Sequence, residues 1–393
     1  MHVIDLIVGA LALVGLVALG GVLWEWVQTR RGREPDGFDL EDLLSGVEHE
    51  ALDGVETAHA CAEALEADHD WGWMVPEALE LEPAFLAAVD ALADEATPVD
   101  AVVELARHPD GWAASMALAA LERRDDVPAD WPDVAIRSLP RPSNCEDAFQ
   151  LRALARHAVA PSIGRILARV DGIRPAYVVD FVRRRLDAGE TVGAGTFSGH
   201  VTLSQADDLS TYLDRYGPDM GDEVRAAFEE WRALELLGGV GRVWKRPFDD
   251  PPAHLVGRRS DVVEQVLAAL TGVPRSSVLL VGEHGSGKTA VIRAALERIA
   301  DSVVFEATAS QVLAGAVFVG ELDGRVKDLT QAISGRNMIW VLPELQEALF
   351  AGQHHRSPHG LLDALLPHVE AGTVTIVAEV TPSALETLRA SRR

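Results

Sequence analysis

The sequence predicts a chain of three parts: an N-terminal transmembrane helix, an all-α middle region, and a C-terminal α/β module of the P-loop type. The first part rests on an uncharged apolar run over residues 6–24, and the second on apolar positions at helical spacing. The third rests on the pattern Gly-Glu-His-Gly-Ser-Gly-Lys-Thr at residues 282–289, directly after an apolar strand-like run. The predicted boundaries are 4–27 for the transmembrane helix, 28–40 for a linker, 41–250 for the acidic helical region and 251–393 for the module.

The N-terminal run from Leu6 to Trp24 has 19 residues without a charge, which is long enough to cross a bilayer as a helix. Trp24 and Trp26 lie where aromatic side chains anchor a helix at the membrane interface. Three arginines follow within residues 30–33, and the positive-inside rule then places the rest of the chain in the cytoplasm. We therefore expect a single-pass protein of a bacterial inner membrane, with a cleaved signal peptide as the alternative.

The 393 residues carry a formal net charge of −26, and nearly all of it lies in the middle region. Counting charged side chains over residues 34–250 gives about −25. A surface of that sign repels the phosphate backbone of DNA and RNA, so we expect no nucleic-acid partner. Cys61 and Cys145 lie far apart in the sequence and indicate neither a disulfide framework nor a zinc site.

The middle region has the pattern of short amphipathic helices separated by Pro, Gly and Asp. Residues 98–123 predict a helical hairpin whose turn lies at residues 108–111. No repeat length recurs with matching side chains, so an irregular bundle and a helical-repeat array both remain open. We expect a protein client or adaptor to bind this region. Its tryptophans are expected in the core rather than in a binding groove, and these are Trp71, Trp73, Trp112, Trp131 and Trp231.

Residues 282–289 are a phosphate-binding loop placed where a strand leads into a helix. The glycines let backbone N–H groups surround the phosphates of a nucleotide, ahead of the positive end of the helix. Lys288 is expected to reach the terminal phosphates, and Thr289 to ligate magnesium. ATP and magnesium are therefore the predicted cofactors. The candidate nucleotide-binding residues of the loop are Gly282, Glu283, His284, Gly285, Ser286, Gly287, Lys288 and Thr289.

The chain from His254 onward resembles the first ATPase module of the Clp-type unfoldases and disaggregases of the AAA+ superfamily. Residues 255–258, Leu-Val-Gly-Arg, are similar to the family's Val-Ile-Gly-Arg entry segment. This resemblance implies that Val256 and Gly257 lie beside the adenine. It covers about the last third of the chain.

Two later segments carry the same resemblance. Residues 313–321 are similar to the pore-loop segment of the family, which implies that Phe318 grips a threaded polypeptide. Residues 365–372 resemble the lead into the family's sensor strand. The resemblance further implies a homo- or hetero-oligomer that acts on proteins.

The strand segment at residues 338–345, Met-Ile-Trp-Val-Leu-Pro-Glu-Leu, departs from the family pattern. Pro343-Glu344 stands where relatives carry Asp-Glu. The Asp of that pair holds magnesium through its water shell, and the Glu polarises the attacking water. Glu344 is thus a candidate catalytic residue together with Lys288, whereas Pro343 has neither a carboxylate nor an N–H to offer.

The sensor strand also departs from the pattern. Its sensor position, usually Thr or Asn, falls at Glu379 or Val380, with Thr381 as a further candidate. A carboxylate facing the γ-phosphate would be repulsive. The sequence ends at Arg393, before the region where relatives carry an arginine finger and a helical lid, so the module is expected to lack that lid.

Two functions of different class are consistent with these features. In the first, the chain is a membrane-anchored ATPase that remodels or unfolds proteins, with hydrolysis that is weak or depends on a partner. In the second, it is a nucleotide-gated scaffold that binds ATP without appreciable turnover. Glu344 and Phe318 favour the enzyme, whereas Pro343, Glu379 and the early end favour the scaffold.

Overall fold

The computed structural model describes residues 54–68, 75–244, 259–299, 302–314, 321–353 and 360–391. The predicted transmembrane helix and linker lie outside these ranges, and so do Trp71, Trp73, Val256, Gly257 and Phe318. No helix in the described ranges combines the length and the apolar character needed to cross a bilayer. The chain divides into two compact units, Met1–Pro128 and Ala129–Arg393.

Over its described residues, the first unit is built from helices alone. Asp110 starts the last of them by accepting a hydrogen bond from the backbone N–H of Trp112, at 2.9 Å. Alanine and leucine dominate the buried side of that helix, so the neighbouring helices approach it closely. The last two helices are the arms of the hairpin predicted over residues 98–123. The helices are α1 (Gly54–Asp68), α2 (Pro76–Leu79), α3 (Pro83–Ala93), α4 (Val99–Leu105) and α5 (Gly111–Arg123).

Arg124 joins the ends of α3 and α5. Its guanidinium is buried and donates hydrogen bonds of 2.8–2.9 Å to the backbone carbonyls of Leu92, Asp94 and Thr97. The carboxylate of Asp126 accepts two further hydrogen bonds from the same guanidinium. A buried cation is stable only when its donors are satisfied, and here they are satisfied by carbonyls at and just beyond the end of α3 together with the Asp126 carboxylate.

The second unit begins with a helical segment whose core is aromatic. The ring centroids of Phe197 and Phe228 lie 5.5 Å apart, and that of Trp231 lies 5.6–6.0 Å from both. Trp231 is 1% exposed, and Trp131 is 4% exposed, so both are core residues as predicted. The helices of this segment are α6 (Trp131–Arg137), α7 (Asn144–His157), α8 (Ile163–Leu167), α9 (Pro175–Asp187), α10 (Leu203–Tyr216) and α11 (Asp222–Gly238).

Asp147, in the first turn of α7, is a buried carboxyl group. Burial raises its pKa to about 6, and the nearby Glu146 adds to the rise, although the backbone N–H of Arg141 donates a hydrogen bond to it at 2.8 Å. The folded state therefore holds this proton more tightly than the unfolded state does. Stability falls as pH rises from about 4 to about 6, because the folded chain must then bury a negative charge.

We expect Asp147→Asn to raise the free energy of unfolding by about 1–3 kcal/mol at pH 7.5, because asparagine removes the buried charge. At pH 4 and below the difference is expected to vanish, since Asp147 is then protonated in the folded state. Urea titrations at both pH values measure the effect. The matched control is Asp208→Asn on the exposed side of α10. An equal gain from Asp147→Asn at both pH values would contradict this account.

A five-stranded sheet follows, with the strand order β1-β3-β4-β5-β2. Strands β2, β5, β4 and β3 are parallel to their neighbours, and β1 runs antiparallel to β3 at the edge. The carboxyl ends of the four parallel strands therefore lie along one edge of the sheet. The strands are β1 (Arg242–Val243), β2 (Val278–Val281), β3 (Val303–Glu306), β4 (Met338–Leu342) and β5 (Thr375–Val380).

Helices cover both faces of this sheet, and the side chains of β4 are buried on both of them. All five residues of β4 are buried. Met338, Trp340 and Leu342 belong to one core cluster, whereas Ile339 and Val341 belong to the other, as the two-residue period of a strand requires. The helices of the module are α12 (Arg259–Thr271), α13 (Lys288–Glu297), α14 (Ala309–Leu313), α15 (Glu321–Ile333), α16 (Leu345–Phe350), α17 (Leu361–Glu370) and α18 (Pro382–Ser391).

Helix α11 and strand β1 share the core of the sheet. Ala233 and Leu237 of α11 lie in the same buried cluster as Trp340. Arg336, after α15, donates a hydrogen bond of 3.1 Å to the backbone carbonyl of Glu229 on α11. Residues upstream of 251, where the sequence places the start of the module, thus complete its hydrophobic core and pair with its edge strand.

Candidate functional site

The predicted phosphate loop connects β2 to α13. Gly285 and Gly287 have φ values of 73° and 86°, which side chains other than glycine rarely adopt. A Cβ atom on Gly287 would also lie 2.5 Å from a guanidinium nitrogen of Arg259. The backbone conformation therefore favours glycine at position 287, and a side chain there would displace the Arg259 guanidinium.

Lys288 is the first residue of α13, and its side chain turns back over the loop. The ammonium group donates hydrogen bonds to the backbone carbonyls of Gly282 and Glu283, at 2.8 and 3.0 Å. Phosphate oxygens present the same acceptor chemistry with a full negative charge. Lys288 is thus held at the loop by groups that a phosphate can replace.

Glu379 of β5 contacts the loop from the neighbouring strand. The hydroxyl of Thr289 donates a hydrogen bond to the Oε1 atom of Glu379, at 2.8 Å. Val380, the other sensor candidate, is 2% exposed and packs in the core. Thr381 accepts a hydrogen bond from the backbone N–H of Ala384 near the start of α18. Of the three sensor candidates, Glu379 is the one whose side chain contacts the predicted magnesium residue.

Glu344 follows the end of β4 in an unusual conformation. Its φ of 51° and ψ of 56° make it the one non-glycine residue with a positive φ among those that the structure describes. This left-handed residue turns the chain from β4 into α16 and leaves the Glu344 side chain exposed. A hydrogen bond with Glu344 raises the pKa of the Glu347 carboxyl above its usual value.

These residues line one cleft at the carboxyl edge of the sheet, with a volume of about 470 Å³. It forms because β2, β5 and β4 are neighbours, so the residues that follow them are brought together. Gln346 also lines the cleft, and its buried Oε1 atom has no hydrogen-bond partner among the residues that the structure describes. The side chains that the cleft brings together are those of His284, Lys288, Thr289, Glu344, Glu379 and Thr381.

A second cleft of about 440 Å³ lies on the α12 side of the loop. It is lined by Arg259, Val262 and Gln265 of α12, by β2, and by Ser286 and Gly287. Lys288 lines this cleft as well, and apolar walls beside two cations suit the base and the phosphates of a nucleotide. Arg259 was not among the residues predicted from the sequence, and its place in this cleft and beside Gly287 identifies it as a candidate.

The oxygen atoms that line the first cleft are suitable ligands for magnesium. A threonine hydroxyl and a carboxylate are oxygen ligands of the kind that this ion prefers, and a buried acceptor such as Gln346 can orient bound water. In the described ranges, no three His, Cys, Asp or Glu side chains converge on one point. A magnesium ion at this cleft would therefore also rely on the phosphates of a nucleotide.

Residues 254–387 match the family model described as "AAA ATPase domain". The C-terminal part of this chain is therefore an AAA ATPase domain, and the predicted resemblance to the AAA+ superfamily is confirmed. In sequence the chain is similar to the chaperone protein ClpB of Bacillus cereus (strain ATCC 10987 / NRS 248), at 27% identity over 203 residues. It is also related to ClpB of Lactiplantibacillus plantarum, at 24% identity over 204 residues.

These relationships cover part of each chain. The first alignment spans 47% of this chain and 20% of the Bacillus cereus protein. The second spans 44% of this chain and 23% of the Lactiplantibacillus plantarum protein. The chain thus spans about a fifth of the length of its ClpB relatives. A cryo-EM structure described as "Closed State CryoEM Reconstruction of Hsp104:ATPyS and FITC casein" matches 35% of this chain and 26% of its own, at 20% identity. Its TM-score of 0.29 is too low to show a common fold.

Proposed function

We propose that the C-terminal module binds ATP with magnesium and hydrolyses it slowly, to ADP and phosphate. The observation that carries this proposal is that Lys288 and Thr289 of the phosphate loop line one cleft together with Glu344, which follows a different strand. Each supplies a different requirement: a cation for the phosphates, a hydroxyl for the metal, and a carboxylate for the attacking water.

The chain's own residues have distinct tasks in this reaction. The loop N–H groups and Lys288 bind and orient the phosphates, and Glu344 polarises a water molecule in line with the terminal phosphorus. Bound magnesium neutralises charge on the phosphate oxygens. Pro343 provides no carboxylate at the end of β4, which is the reason for expecting slow turnover.

We extend the proposal to the whole protein as ATP-dependent remodelling of a protein client, which the helical region recruits within an oligomer. The relationship to proteins named as chaperones supports this extension. Residues 4–27 anchor the protein in a membrane in this proposal, with the helical region and the module in the cytoplasm. Fractionation of cells expressing the full chain tests the anchor, since recovery in the soluble fraction would contradict it.

The alternative is a nucleotide-gated scaffold, and Pro343 is the observation that favours it. Two measurements on the purified full chain separate the functions: titration with a fluorescent ATP analogue, and steady-state phosphate release with magnesium and ATP. Binding together with release above the level of the Lys288→Ala variant supports the enzyme. Binding without release supports the scaffold, and the absence of binding overturns both.

A further inference from the structure

Glu379 occupies a particular place in the sheet. Strands β4 and β5 pair with Leu342 opposite Ala378, so the next residues, Pro343 and Glu379, follow side by side at the carboxyl edge. On its other side, Glu379 pairs with Leu280 of β2, the strand that leads into the phosphate loop. A carboxylate thus stands one strand away from the position where Pro343 offers none.

The contact between Glu379 and Thr289 has the spacing of two ligands of one small cation. Neighbouring ligands in an octahedral magnesium shell, each about 2.0–2.1 Å from the ion, lie about 2.9 Å apart. The Thr289 hydroxyl and the Glu379 Oε1 atom are 2.8 Å apart. Here the Thr289 hydroxyl donates a hydrogen bond to Glu379, and a divalent cation bound by both oxygens would hold them at about the same separation.

The surroundings support this interpretation. Glu379 is partly exposed to the cleft, and it lies beside Thr289 at the start of α13. The Oε1 atom of Gln346 lines the same cleft and has no hydrogen-bond partner within the described ranges, so it can accept a hydrogen bond from a water bound to the ion. A carboxylate that ligates the metal is attracted to it, whereas the same group facing the γ-phosphate directly would be repelled.

We propose that Glu379 is the protein carboxylate of the magnesium site, replacing from β5 the ligand that Pro343 cannot supply from β4. The proposal rests on the proposed function, because the ion is held between these residues and the phosphates of a nucleotide. It accounts for a Glu at a position where the sequence resemblance leads one to expect Thr or Asn. It also assigns the metal and the water-polarising group to different strands.

The test compares the full-length wild-type chain with Glu379→Gln, which keeps the size and the hydrogen-bonding capacity of the side chain. Affinity for a fluorescent ATP analogue is measured in Mg²⁺ and in EDTA, and Mn²⁺ binding to the protein–ADP complex is measured by EPR. We expect Glu379→Gln to weaken Mn²⁺ binding by about tenfold or more and to leave the affinity in EDTA unchanged. The matched control is Glu386→Gln on the exposed side of α18.

Each outcome leads to a definite conclusion. Unchanged Mn²⁺ affinity in Glu379→Gln would overturn the proposal. Tighter Mn²⁺ binding would also overturn it, because it would show that the hydrogen bond to Glu379 keeps the Thr289 hydroxyl from the ion. Recovery of Mn²⁺ affinity in the double variant Pro343→Asp/Glu379→Gln would support it, because the carboxylate then returns to β4. If the wild-type chain binds no nucleotide even in Mg²⁺, the proposed function itself fails.

Discussion

We expect Lys288→Ala to weaken ATP binding by about 10- to 150-fold. A hydrogen bond to a charged group contributes about 1.5–3 kcal/mol, and alanine removes this interaction with the terminal phosphates. The side chain already lies over the loop, held by two carbonyl groups at 2.8 and 3.0 Å, so it needs little reorganisation to reach a phosphate. Titration with a fluorescent ATP analogue measures the loss.

The matched control is Lys327→Ala, on the exposed side of α15. It removes the same charge from the same unit of the chain, so any general effect of net charge on nucleotide affinity appears in both variants. Circular dichroism of each variant establishes that the helices and the sheet are intact. Unchanged ATP affinity in Lys288→Ala would show that residues 282–289 do not form the phosphate site.

We expect Glu344→Gln to lower the rate of ATP hydrolysis by about 100-fold or more, with ATP affinity unchanged. Positioned acid–base groups contribute about 10²–10⁴ in rate, and glutamine cannot take up the proton of the attacking water. The exposed Glu344 side chain lies at the same cleft as Lys288 and Thr289, which places it to act on that water. Single-turnover phosphate release measures the chemical step separately from binding.

The control for this variant is Glu370→Gln, at the exposed end of α17. Glutamine and glutamate are both unbranched at Cβ, so the substitution leaves the tendency of residue 344 to adopt its left-handed backbone conformation about the same. An unaltered single-turnover rate would remove Glu344 from the mechanism. Equal losses of binding and of turnover would instead indicate that Glu344 supports the structure of the β4–α16 turn.

The phosphate loop could be predicted because its requirements are local. Glycines at fixed positions, a lysine and a threonine after a strand define a backbone path and a set of donors within eight residues, and the structure has that strand, loop and helix. The helical character of the middle region and the burial of Trp231 were predictable for a similar reason, since periodicity and side-chain size act along one helix.

The partner of Thr289 could not be predicted in this way. Glu379 is 90 residues further along the chain, and it contacts Thr289 only because β5 lies between β2 and β4. From the sequence alone, its carboxylate was expected to face a phosphate and to repel it. The order of the strands instead places it against the hydroxyl of the magnesium residue.

The packing of α11 against the core of the module and the pairing of β1 with β3 could also not be predicted from the sequence. A two-residue strand gives no periodic signal, and α11 is amphipathic like other helices of the middle region. The edge of β3 is paired by β1, and the buried cluster around Trp340 accepts Leu237. The backbone groups at the edge of β3 find hydrogen-bond partners, and these apolar side chains are buried, only when segments distant in the sequence come together.

The sequence by itself determined the class of this protein's C-terminal part, the helical nature of its middle region and the identity of the phosphate loop. Each of these depends on residues close together along the chain. The tertiary structure alone decided which side chains share the cleft, where the carboxylate nearest Thr289 comes from, and where the core of the module begins. Those outcomes depend on strand order and packing, which bring together residues that no local pattern connects.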